Sequence, residues 1–194
     1  MKEQIWQARI NIDIYNQLSV HEFTQIEKYL GTPKTVLEVG CGLGRGSIFL
    51  NHLLKDDTVE YILADRTGYT TNTGAYMPKV DEFYNDLNLT ADFCTTNGIK
   101  NVKTFDTEQD DWANLPKVDL IFSLCSFGMH VSIDRYLDRL LSVSKPTTTM
   151  IFGVSVGTVS EDNKSKFNET LFIKGQHTRK FPREDWLILK NPKI

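Results

Sequence analysis

Four glycines fall within seven residues, Gly40-Cys41-Gly42-Leu43-Gly44-Arg45-Gly46. They directly follow the apolar run Thr35-Val36-Leu37-Glu38-Val39 and directly precede a helical pattern carrying Ile48, Phe49, Leu50, Leu53 and Leu54. A strand that ends in glycines and feeds a helix sets backbone N–H groups and the positive end of a helix dipole beside a ligand. Glycine there permits positive φ and close approach to the main chain. In an open α/β sheet this is where ligands sit, at the carboxyl ends of the strands. Two common uses are excluded by spelling. The phosphate loop G-x-x-x-x-G-K-[ST] needs a Gly-Lys pair, and the chain has none. The dinucleotide pattern G-x-G-x-x-G fails from Gly40, where Arg45 takes its last position, and from Gly42, where Ser47 does. An NAD-dependent oxidoreductase on the same plan is thereby disfavoured.

The rest of the chain supplies the alternation of strands and helices that such a loop requires. A helix is predicted over about residues 20–30, with Ser19-x-x-Glu22 as a capping box and Gly31 as its stop. Val59 to Ala64 reads as the second strand, ending at Asp65. Residues 66–79 form a long polar loop, a candidate binding loop. Pro78 is expected to open a helix with Val80, Phe83, Tyr84 and Leu87 on one face. Asn101 to Phe105 and Val118 to Leu124 read as strands three and four. A further helix carries Ile133, Tyr136, Leu137, Leu140 and Leu141 behind an N-cap at Ser132. Thr148 to Val154 reads as strand five, and Thr170 to Lys174 with Trp186 to Lys190 as a terminal antiparallel pair. The fold class is α/β, Rossmann-like: a mostly parallel sheet with helices on both faces.

With 194 residues, 40% hydrophobic and 24% charged, the chain is expected to be a single domain over 1–194: a helical cap over 1–30, a ligand-binding core over 34–155 and a substrate-side segment over 156–194. A net charge of −3 excludes a generally basic nucleic-acid coat. Charge is nonetheless uneven, with 13 acidic and 5 basic residues over 56–119 and a basic excess over 171–194. No apolar run reaches the roughly 20 residues that span a bilayer, and Met1 to Trp6 holds no apolar signal region. The three cysteines, Cys41, Cys94 and Cys125, form no C-x-x-C, so a reduced cytoplasmic setting is expected.

Val36 to Gly46, with Glu38 inside the strand and the glycines behind it, resembles motif I of the class I S-adenosylmethionine-dependent methyltransferases. The resemblance extends over about residues 34–155 and implies a seven-stranded sheet with an antiparallel last strand and S-adenosyl-L-methionine as cofactor. It implies cofactor-binding roles for Glu38, Gly40, Gly42, Gly44, Asp65, Asp106 and Ser123. Asp65 would accept from the ribose diol, and Glu38 would hold the glycine loop. Asp106 would meet the adenine amino group, in competition with Glu108, Asp110 and Asp111. Ser123 would lie near the methionine end. Phe105 is read either as packing on adenine or as core.

The segment Ser123-Leu124-Cys125-Ser126-Phe127-Gly128-Met129-His130 carries the information on the acceptor. It lacks the N-P-P-[YF] and Pro-Cys spellings of two nucleic-acid methylating families. It is similar to the corresponding stretch of small-molecule and sugar O-methyltransferases. His130 is the candidate general base for a hydroxyl acceptor, with a helix-capping role as the competing reading and His177 as a second candidate. His21 and His52 are read as structural, and Cys125 as a small apolar residue. Trp6, Tyr15, Tyr69 and Tyr76 are candidates to close over the cofactor or stack on substrate. No metal spacing is present, and no metal is expected. The function read from the sequence is methyl transfer to a small polar acceptor, a sugar or sugar-nucleotide hydroxyl. The alternatives are a methyltransferase acting on RNA or another nucleic acid, and a non-catalytic cofactor-binding subunit.

Overall fold

The computed structural model describes residues 12–70, 82–124, 126–128, 131–154, 159–175 and 185–194. Seven strands form one sheet: β1 (Thr35–Val39), β2 (Glu60–Asp65), β5 (Asn101–Asp106), β6 (Val118–Ser123), β7 (Ser144–Val154), β8 (Phe167–Ile173) and β9 (Asp185–Pro192). Their spatial order is β5-β2-β1-β6-β7-β9-β8. The first five strands pair in parallel, while β9 runs antiparallel to both β7 and β8. The Rossmann-like class and the antiparallel terminal strand expected from the sequence are present. The order reverses between β1 and β6, which places a crevice at their carboxyl ends.

Alternation along each strand builds a core on each face of the sheet. Leu37, Val39, Ile62, Ile121, Met150 and Phe152 face one way and meet Ile133, Leu137 and Leu140 of α4 (Ile133–Ser142). Val36, Tyr61, Leu63, Leu120 and Phe122 face the other way. They pack on Phe23 and Ile26 of α1 (Ile12–Ile26), Leu50 of α2 (Arg45–Leu54) and Leu87 and Cys94 of α3 (Leu87–Thr96). A short α5 (Glu161–Lys164) precedes β8.

Two helix assignments are corrected. Helix α1 starts well before Ser19, so Ser19 and Glu22 are interior residues and not a capping box. They lie one turn apart on the same side of the helix, and both bind Arg45. The helix predicted to start at Pro78 begins instead at Leu87, with Asp86 as N-cap accepting from Asn88 N–H at 3.0 Å and Leu89 N–H at 3.3 Å. Glu82–Asn85 is strand β4, paired antiparallel with β3 (Gly68–Thr70) in a separate hairpin. Phe83, Tyr84 and Leu87 match helical spacing, yet two of them belong to a strand. Pro78 and Val80 lie outside the described residues. Strand β7 begins at Ser144, earlier than predicted, and takes in Lys145-Pro146 where its register with β6 shifts between Val118 and Leu120.

Candidate active site

The glycine loop leaves β1 and turns into α2 at Gly44, the N-cap, with φ of +75°. Its entry is pinned to β2: the Gly40 and Cys41 N–H groups both donate to the Ala64 carbonyl, at 2.8 and 3.2 Å. Gly40 has φ of +67°, and a Cβ there would overlap the side chain of Ser126 in the segment after β6. A Cβ on Gly44, likewise, would overlap Cys94 Sγ. Both positions therefore demand glycine for conformation and for space.

Glu38 points from the middle of β1 under the start of α2. Its Oε2 accepts from Ser47 N–H at 2.9 Å and from the Ser47 hydroxyl at 2.6 Å. It is buried, and burial pushes its carboxyl up to about 7 against the opposing pull of the Ser47 bonds and the Arg45 charge. The carboxylate thus ties the strand to the first turn of the helix. Arg45, at the first position of α2, reaches across to α1. It forms an ion pair with Glu22, one arm at 2.9 Å, and donates to Ser19 Oγ at 3.0 Å.

Asp65 ends β2 and Asp106 ends β5, and the two are register partners. Asp65 Oδ2 accepts from Gly42 N–H at 2.8 Å, and its Oδ1 from Arg66 N–H at 2.9 Å. Asp106 Oδ2 accepts from Thr67 N–H at 3.1 Å, while its Oδ1 accepts from Glu108 N–H at 2.9 Å and Gln109 N–H at 3.2 Å. Two buried carboxylates therefore stand side by side at adjacent strand ends, each organising the backbone around it. Of the competitors, Asp110 accepts from Asp106 N–H at 2.7 Å, and Asp111 accepts from Ala113 N–H at 3.0 Å. Phe105 is core, packed edge-on against Trp112 at 5.1 Å between centroids.

Ser123 is fully buried and accepts from Phe127 N–H at 3.0 Å, so it shapes the segment that follows β6. That segment is also closed by Gly128 N–H donating to the Val131 carbonyl at 2.8 Å and by Val131 N–H donating to the Ser126 carbonyl at 3.2 Å. Cys125, His130, His177, Trp6 and Tyr76 lie outside the described residues, as do the side chains of Tyr15 and Tyr69. His21 and His52 lie on α1 and α2. Ser132 is the N-cap residue of α4, without a side-chain capping bond.

Three contacts around the loop have no local sequence signal. Ser126 covers Gly40, and Asn85 and Thr90 both donate to the Gly42 carbonyl, at 3.2 and 2.7 Å. These partners lie 43 and 48 residues from Gly42, too far for any spacing pattern to disclose.

Residues 9–188 match a family model described as a methyltransferase domain. The chain belongs to this methyltransferase family. No curated protein matches it. Three solved structures share the fold of the methyltransferase at low identity. A methyltransferase of Thermotoga maritima, titled a possible histamine N-methyltransferase, aligns at TM-score 0.60 and 12% identity, covering 98% of this chain and 96% of that one. Precorrin-6y C5,15-methyltransferase of Geobacter metallireducens aligns at 0.57 and 14%, covering 90% and 87%. The O-methyltransferase TomG of Streptomyces achromogenes, solved with its methyl donor S-adenosylmethionine, aligns at 0.51 and 12%, covering 92% and 78%. At these identities the likeness concerns the fold. Their titles name different acceptor chemistries, so the fold of the methyltransferase does not by itself select one.

Proposed function

We propose that the chain transfers a methyl group from S-adenosyl-L-methionine to a small polar acceptor, a hydroxyl of a sugar or sugar nucleotide. The observation that carries the reading is the glycine loop running into α2 with Asp65 and Asp106 beside it at consecutive strand ends. The donor set suits the cofactor. A carboxylate accepts at about four lone-pair sites, so holding Gly42 N–H is compatible with accepting from a ribose diol at Asp65. Asp106, on the neighbouring strand, is assigned to the exocyclic amine. Gly40, Gly42 and Gly44 give the loop its positive-φ turns, and Glu38 fixes the helix start beneath it. Ser123 holds the segment after β6 at the crevice.

S-adenosylmethionine supplies an electrophilic methyl group on a sulfonium. The protein's contribution is alignment, which brings an acceptor oxygen within near-attack distance along the axis of the breaking bond. A hydroxyl also loses a proton, and His130, in the segment after β6, is assigned to take it. The first 30 residues, the 66–79 loop and the 156–185 segment are assigned to enclosing the acceptor. The test is methyl transfer from labelled S-adenosylmethionine to a panel of sugar nucleotides and small phenols. With an acceptor in hand, His130→Ala is expected to lower kcat by about 10²–10⁴-fold while cofactor affinity stays near wild type. Wild-type turnover by that variant on a hydroxyl would remove His130 from the reaction.

A further inference from the structure

We infer that Thr90 and Asn85 are positioning residues for the cofactor loop: together with Asp65 they fix both peptide planes that flank Gly42. This rests on the reading of the glycine loop as the cofactor cradle. Gly42 has φ of +51°, and glycine is the residue with the most conformational freedom to lose. On its amino side, the Gly42 N–H donates to Asp65 Oδ2 at 2.8 Å. On its carboxyl side, the Gly42 carbonyl accepts from Thr90 Oγ1 at 2.7 Å and from Asn85 Nδ2 at 3.2 Å. The Thr90 hydroxyl has one proton. Gly42 O is the nearest of its three acceptors, the others being Asp86 O at 3.2 Å and Asn85 Oδ1 at 3.4 Å. Thr90, Asn85 and Asp65 are all buried, so water does not readily replace a lost donor or acceptor. Fixing the planes on both sides of one α-carbon fixes its φ and ψ. The loop is then ordered before a ligand arrives, and binding is spared that ordering cost. Asn85 ends β4 and Thr90 lies in the first turn of α3, so the β3–β4 hairpin is coupled to the loop through one carbonyl.

The test uses the full chain with Thr90→Val, Thr90→Ser, Asn85→Ala and Asp65→Ala. Three quantities are measured: S-adenosylmethionine affinity by calorimetry, Gly42 amide exchange in the ligand-free protein, and Tm. Thr90→Val is expected to weaken binding at least fivefold and to speed Gly42 exchange at least tenfold. Thr90→Ser, which keeps the hydroxyl, should stay within twofold of wild type in both. Asn85→Ala lies outside the seven-stranded sheet and carries the test should Thr90→Val fail to fold, with the same direction expected. A lowered Tm with wild-type affinity and exchange would make the residues structural only and overturn the inference. If Asp65→Ala loses binding while Thr90→Val and Asn85→Ala bind as wild type, the clamp fails and the site stands. If all three bind as wild type, the site itself is wrong and the clamp falls with it.

Discussion

Glu38 is an acid in the middle of a buried strand, and its energetics follow from that placement. Desolvation outweighs the two bonds from Ser47 and holds its carboxyl near 7, above the ordinary value of 4.5. Between those two values the folded protein binds more protons than the unfolded chain, so Glu38's contribution to stability is greatest below about 4.5 and is lost as pH rises through 7. The shift corresponds to about 3 kcal/mol at full ionisation. Glu38→Gln removes this titration. Denaturant midpoints from pH 4.5 to 8 should show the wild type losing stability relative to the variant as pH rises; a constant difference would contradict the assignment. Positions set by a local run were legible in the sequence: Glu38 lies within a strand, Gly40 just after it, Gly44 at the start of a helix and Asp65 at a strand end. Thr90, Asn85 and Ser126 were not, because only tertiary folding brings them to the loop.

At the scale of elements, α1 is attached to the amino-terminal end of α2 through Arg45. Glu22 is almost fully buried, and Arg45 nearly so. Breaking a largely buried ion pair by removing one partner costs about 3 kcal/mol. Glu22→Ala should therefore lower Tm by roughly 6–12 °C, and calorimetric unfolding checks it. An unchanged Tm would mean that apolar contacts such as those of Phe23 and Ile26 hold α1 without the ion pair. The sequence placed a helix here but misjudged its start, because a Ser-x-x-Glu spacing that marks a cap also marks two residues facing one partner. The β3–β4 hairpin was hidden for a related reason. Phe83, Tyr84 and Leu87 fit a helical period across a strand–cap–helix boundary, and Asp86 is the residue that marks it.

At the scale of the whole molecule, repeated strand–helix units made the strands legible from apolar runs and glycines, while the seven-strand count and the antiparallel last strand were what the family resemblance implied. The strand order reverses between β1 and β6, the kind of point at which open α/β sheets take ligands. Among the described residues, no helix is long and apolar enough to cross a membrane. On the proposed reading, S-adenosylmethionine lies at this reversal, held by Asp65 and the glycine loop. Calorimetric titration of the wild type and of Asp65→Ala with S-adenosylmethionine decides it. One saturable site in the wild type and at least tenfold weaker binding in the folded variant are expected, because a hydrogen bond to a charged group is worth about 1.5–3 kcal/mol. No binding to the wild type, or equal affinity in the two proteins, would contradict it.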